Sequence, residues 1–256
     1  MKAFMAFMRK ELQEQLRSGR LLLLGILFSL FGVMNPAIAK LTPWIIEILA
    51  DSLAASGMTV AEVHITALDS WVQFYKNIPM GLIAFVLLES SIFTKEYSSG
   101  TLILWLTKGL DRRKVVISKA AVLTVLWSLS YWLCFGITYG YNAWFWDNSL
   151  ARELLFSAVC WWVFGLWVLG LAVLFSVAAK TNTGVLCGTG GVAFGCYLLS
   201  MLPKFGKYLP AFLTDGNSLI YGMVERKDYL PALIVAGVTG AACFAVSIPV
   251  FDKKQL

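Results

Sequence analysis

The chain has 256 residues, 59% of them hydrophobic and 14% charged, with a mean hydropathy of +0.73. Soluble domains carry roughly 45–50% apolar and about 25% charged residues, so a soluble domain is excluded and an integral membrane protein is expected. The net charge of +6 is spread through short segments between apolar runs rather than gathered on one soluble face, which sets aside a nucleic-acid partner.

Residues 1–20 read as a helix. Met1, Phe4, Met5, Met8, Leu12 and Leu16 share one face, and Lys2, Arg9, Lys10, Glu14 and Arg17 share the other. This is the pattern of an amphipathic helix lying in the membrane interface with its cations at the headgroups; the alternative is a helix packed on a soluble partner. No cleavable signal peptide is expected, because the first apolar run starts late and no small-residue cleavage pattern follows it.

Six apolar runs follow, at about residues 21–39, 74–93, 115–139, 154–179, 184–202 and 231–251. Each approaches the roughly 20 residues that cross a hydrocarbon core of about 30 Å. Backbone polar groups in lipid must be bonded internally, so the runs are predicted helices. Between the first two, Trp44, Ile45, Ile48, Leu49 and Leu53 follow a helical period that Ser56 and Gly57 stop. Thr59 and Glu62 then have capping-box spacing. The segment reads as a short external helical hairpin. Spans four and five are joined by a tight hairpin at Lys180-Thr181-Asn182-Thr183. In span five, Gly184/Gly188 and Gly191/Gly195 have the GxxxG spacing of close helix packing. Only Glu89 and Lys119 bring charge into the spans, near their ends, where side chains can snorkel. Near the outer mouth, Tyr197, Met201, Tyr208 and Phe212, with Tyr221 and Met223, form either an aromatic belt or an adaptable substrate surface.

Lys and Arg decide the orientation. With the N-terminus in the cytoplasm, the inner segments hold fourteen of them and the outer segments seven. Both termini are expected inside, in a multi-pass protein of the cell membrane that forms one transmembrane domain over residues 1–256.

No catalytic constellation is present in the sequence. His64 is the one histidine, and no Cys/His cluster or H-E-x-x-H supplies a metal site. No G-x-S-x-G elbow occurs. The five cysteines lie in apolar runs and read as small buried hydrophobes. The glycines of span five are not followed by the Gly-Lys-Ser/Thr of a phosphate loop. The chain is expected to be no enzyme, with no cofactor or metal of its own.

The longest inner segment, residues 94–113, carries the functional signal. Leu102, Trp105, Leu106 and Leu110 line one side of a short helix, with cations at its end. Such a helix either lies on lipid or fills a groove in a soluble partner. Glu96, Gly100-Thr101-Leu102, Leu104, Leu106, Arg112 or Arg113, and Lys119 stand in the order found in the permease subunits of type-2 ABC transporters, and the chain resembles that family. Phe7-Met8-Arg9-Lys10-Glu11-Leu12 and Phe251-Asp252-Lys253-Lys254 are similar to its amphipathic start and short basic end. One departure is Gly109-Leu110-Asp111, where a proline often precedes the loop arginine.

The resemblance implies an all-α fold of six transmembrane helices, an interfacial N-terminal helix (Phe4, Met5, Met8, Arg9, Lys10, Leu12) and a cytoplasmic coupling helix between spans two and three. Glu96, Gly100, Thr101, Leu102, Trp105, Leu106, Leu110, Arg112 and Arg113 would engage a separate ATP-binding subunit. ATP and Mg would be held by that subunit, present in two copies, and a second permease, identical or paralogous, would complete the pathway. The expected function is export of a hydrophobic or amphipathic substrate such as a peptide, lipid or antibiotic. The alternative is a non-transporting immunity or scaffold protein in the membrane. The last outer segment, with Pro203 and Pro210, is expected to re-enter the membrane as short helices.

Overall fold

The computed structural model describes residues 2–55, 64–107, 109, 111–202 and 205–254, with backbone alone for residues 2, 3, 49–55, 98, 103, 104 and 106. Among them the regular elements are all helical. They are α1 (Lys2–Arg17), α2 (Arg20–Ala55), α3 (Ala67–Glu89), α4 (Ser91–Ser99), α5 (Thr101–Thr107), α6 (Arg112–Phe145), α7 (Leu154–Ala178), α8 (Asn182–Ser200), α9 (Gly216–Ile220) and α10 (Arg226–Lys253), with short 3-10 turns between α6 and α7 and between α8 and α9. Six stretches are long and apolar enough to cross a membrane: Arg20–Ile48, Ala67–Tyr97, Arg112–Phe145, Leu154–Ala178, Asn182–Ser200 and Arg226–Lys253. The chain is an all-α integral membrane protein. Lys119 of α6 meets Glu11 of α1, and Arg112 meets the carbonyls that end α10. Both ends of the described chain therefore share one end of the bundle, the proximal end.

Of the external hairpin expected after the first span, the described residues include only the flanks. Ser56, Gly57, Thr59 and Glu62 lie outside the described residues, while Trp44, Ile45 and Ile48 belong to α2, which runs unbroken to Ala55. The second helix opens at Thr66, whose N–H donates to Asp69 Oδ2 at 2.8 Å, and α3 is continuous with the second span. Pro36 and Pro43 do not break α2. A proline at 36 deprives the Gly32 carbonyl of its i+4 donor. Thr138 Oγ1 of α6 donates to that carbonyl at 3.0 Å. Thr138 also accepts from Asn35 Nδ2 at 3.0 Å, and Asn35 Oδ1 accepts from Asn77 Nδ2 at 2.8 Å. This polar chain ties α2, α3 and α6 together inside the apolar layer, where a lost hydrogen bond has no water to replace it.

The interior is built by aromatic side chains against small ones. A Cβ at Gly165 of α7 would lie 2.3 Å from the Trp127 ring of α6, so only glycine admits that indole. Phe28, Phe85 and Tyr131 surround the same ring. Of the span-five glycines, Gly188 lies under the Phe175 ring, and a Cβ at Gly184 would be 3.0 Å from the Ala179 methyl. A Cβ at Gly191 or Gly195 would meet nothing within 4 Å. The first GxxxG pair packs within the chain and the second does not.

At the distal end the segment before α10 descends between helices. Ala211, Leu213, Leu219 and Ile220 are buried. Trp161 Nε1 of α7 donates to the Thr214 carbonyl at 2.8 Å, and Tyr229 Oη of α10 donates to that of Asp215 at 2.6 Å. These tryptophan and tyrosine donors satisfy carbonyls that regular helix would have bonded internally. Phe212 packs at a tilt against Tyr229, ring centroids 4.7 Å apart, whereas Tyr197, Met201 and Tyr208 are exposed. Pro203 lies outside the described residues.

Candidate coupling site

The segment between the second and third spans forms an elbow. Gly100 ends α4 at φ 64°, a left-handed conformation that costs an L side chain about 1–2 kcal/mol. α5 follows, and Asp111 restarts the chain as the N-cap of α6, its carboxylate accepting from the Arg113 N–H at 3.0 Å. Thr101 and Gly109 are exposed. Leu102, expected to face a partner, is instead 1% exposed within the chain's own core. Its neighbour Trp105 packs edge-on against Phe7 of α1, centroids 5.7 Å apart. Leu102 and Trp105 thus anchor α5 on its inner side. Leu110 and the Leu106 side chain lie outside the described residues.

Below the elbow is a buried ion network that the sequence reading did not anticipate. Lys119, expected to snorkel, is 1% exposed. Its ammonium lies 2.9 Å from Glu11, 3.1 Å from Glu96 and 2.9 Å from the Ile92 carbonyl. Lys10 touches three carboxylates, Glu11 at 2.9 Å, Glu14 at 2.8 Å and Glu96 at 2.6 Å. These three approach within 4.8 Å of one another, and the chain's own ammonium stands among them. Glu89 is also buried rather than snorkelling, accepting from Gln15 Nε2 at 2.7 Å with Arg20 3.7 Å away. Burial works against charge on Lys10, but its hydrogen bonds to Glu14, Glu96 and Glu11 outweigh burial and raise its pKa above the ordinary value. Burial pushes Glu14 up, yet the Lys10 hydrogen bond and charge prevail and hold it below its ordinary 4.5.

The network changes the reading of α1. Met5, Leu12 and Leu16 are exposed, as an interfacial face requires, with Phe4 and Met8 half-buried and Arg9 exposed. Lys10 joins the ion network. Phe7, Glu11 and Gln15, spaced i, i+4 and i+8, form a third face turned into the bundle. A carboxylate, a carboxamide and a phenylalanine on one stripe, and a lysine inside an apolar run, were the signals available in the sequence.

Of the two arginines expected to meet an ATPase, Arg112 is engaged within the chain and Arg113 is exposed. Arg112 donates to the carbonyls of Phe251, Asp252 and Lys254 at 2.9, 3.2 and 2.8 Å. Lys254 Nζ in turn donates to those of Val177 and Ala179 at 2.6 and 2.8 Å. Each cation caps a helix C-terminus, α10 and α7 respectively, where orphan carbonyls and the dipole favour it. Arg113 is exposed, 3.6 Å from Asp252. Elbow, α1, α6 and the C-terminal ends of α7 and α10 thus form one connected proximal platform.

The chain was compared with known proteins. The family described as ABC-2 family transporter protein matches residues 5–209. Uncharacterized transmembrane protein YxlG of Bacillus subtilis (strain 168) is 26% identical over 240 residues, covering 90% of this chain and 89% of that one.

Proposed function

The chain belongs to the ABC-2 transporter family, and from that premise we propose that it is the permease half of an ATP-driven exporter. Two permeases line the pathway, and two separate ABC ATPases bind ATP and Mg and hydrolyse it. The observation that carries the reading is α5, a seven-residue helix set at the proximal end between two left-handed glycines, Gly100 and Gly109. Its inner side is anchored by Leu102 and Trp105, and Thr101 faces outward. A push on α5 reaches Glu96 on α4, then Lys119 on α6 and Glu11 on α1, through contacts of about 3 Å. The fourteen-to-seven split of Lys and Arg supports a cytoplasmic proximal end. The open Gly191/Gly195 face of α8 supports close packing of a second permease.

The cargo class follows from a lateral crevice of about 350 Å³ between α3, α7 and α8, walled by Pro79, Ile83, Phe164 and Ala193 among others. Thr189 lines it, is buried, and its hydroxyl has no hydrogen-bond partner among the described residues. A mostly apolar molecule with one polar group fits such a wall. Affinity purification from native membranes tests the whole reading. The expected result is co-purification of an ATPase, its loss in Leu106→Asp while that variant still inserts, and ATP hydrolysis stimulated by apolar cargo. Recovery of the chain without an ATPase would point to a scaffold or immunity protein instead. Retention of the ATPase by Leu106→Asp would move the docking site away from α5.

A further inference from the structure

At the proximal end, α6 and α10 leave an apolar groove of about 340 Å³ between them. Ala120, Ala121 and Thr124 wall it on one side and Phe244, Ala245 and Ile248 on the other. The alanines present only methyl groups where longer side chains would close the gap. Val116 and Thr124, the first and last lining residues of α6, are about 12 Å apart at 1.5 Å per residue. That is most of one leaflet's share of a hydrocarbon core about 30 Å thick.

Charge stands on the same helical rows. Arg113 precedes Ile117, Ala120 and Thr124 by four, seven and eleven residues, and Lys114 precedes Ile117 and Ala121 by three and seven, so both lie at the groove's proximal mouth. Both are exposed, and Lys114 makes no ion pair among the described residues. Asp252, one turn beyond Ile248, sits 3.6 Å from Arg113; two-thirds of that arginine is exposed, so the pair is weak. Lys253 is exposed beside it. The rim therefore carries three cations, Arg113, Lys114 and Lys253, against two carboxylates, Asp252 and the α6 N-cap Asp111, at the mouth of the apolar slot.

We propose that this groove is a binding site for a phospholipid with a net negative headgroup, its chain in the slot and its headgroup at Arg113 and Lys114. A zwitterionic headgroup brings its own cation to the same rim and forfeits part of the attraction. The site does not involve α5 or an ATPase, so it stands or falls separately from the function proposed above.

Native mass spectrometry of the purified full chain, titrated with phosphatidylglycerol and phosphatidylcholine of identical acyl chains, tests it. Phosphatidylglycerol is expected to bind about tenfold more tightly, the scale set by two cations at an anionic headgroup. Lys114→Gln should lower its affinity about fivefold and that of phosphatidylcholine by less, narrowing the difference between the two lipids. Ala121→Trp should block both lipids, and a diazirine-bearing phosphatidylglycerol should label the peptide around Ala120. Because Lys114 is exposed, its variant decides the matter even where Ala121→Trp fails to fold. Equal binding of the two lipids, an unchanged Lys114→Gln, or labelling confined to other helices would overturn the proposal.

Discussion

Replacing Lys119 by methionine is the sharpest test of the buried network. The substitution keeps the unbranched stem, one atom shorter, and removes its charge, leaving Glu11 and Glu96 enclosed with one cation fewer. Side-chain exposures are 1% for Lys119, 4% for Glu11 and 6% for Glu96. Breaking a buried pair by removing one partner costs about 3–5 kcal/mol. Lys10 still touches both carboxylates, which puts the expected loss near the lower limit, about 3 kcal/mol. Adding Glu11→Gln removes a charge that has lost its partner, so the double variant should recover about half of that loss. Reversible unfolding in mixed micelles, run on both single variants and the double, gives the coupling energy, expected within the roughly 0.5–3 kcal/mol seen for groups in one network. A single-variant loss below about 1 kcal/mol, the level of a solvent-exposed ion pair, with no coupling would refute the reasoning. That outcome would place the ammonium in water.

Other consequences follow from particular contacts. Thr138→Val leaves the Gly32 carbonyl and the Asn35 amide unpaired and should destabilise the chain by about 1–3 kcal/mol in the same unfolding assay, with Thr138→Ser close to wild type. Gly100→Val forces a branched side chain into the left-handed region, with a cost of about 1–2 kcal/mol; it should reduce cargo-stimulated ATP hydrolysis while membrane insertion, followed by protease protection, is unaffected. The docking of α1 should vary with pH. Glu14 is held below its ordinary 4.5, so its contribution is present above that value and is lost as pH falls through the depressed pKa. Lys10 is raised above its ordinary 10.5, so its contribution is complete below 10.5 and is lost only as pH climbs past the raised pKa. Spin labels on α1 and α6 should report a constant distance from about pH 5 to 10 and separation in stronger acid; separation near pH 6.5 would contradict this assignment.

The sequence alone determined what depends on the solvent and on periodicity. A chain so apolar and so poor in charge must live in lipid, and lipid forces each apolar run into a helix, so the six spans and the amphipathic start were legible. Gly100 reads in the sequence only as a partner contact; that it turns the chain in a left-handed conformation comes from the structure. What only the tertiary structure decided is which side chains meet. Lys119 and Glu89 read as snorkelling because a single helix has no memory of its neighbours; burial became affordable only when α1 delivered Glu11 and Gln15 from about a hundred residues away in the chain. Leu102 stands in an amphipathic stripe expected to face a partner, yet the fold buries it. Pro36 removes a backbone donor from α2, and only the fold supplies the replacement, a hydroxyl on α6. Hydrophobic pattern selects the elements because it acts within one helix, whereas ion pairs and hydrogen bonds select their arrangement because each requires a partner held by another.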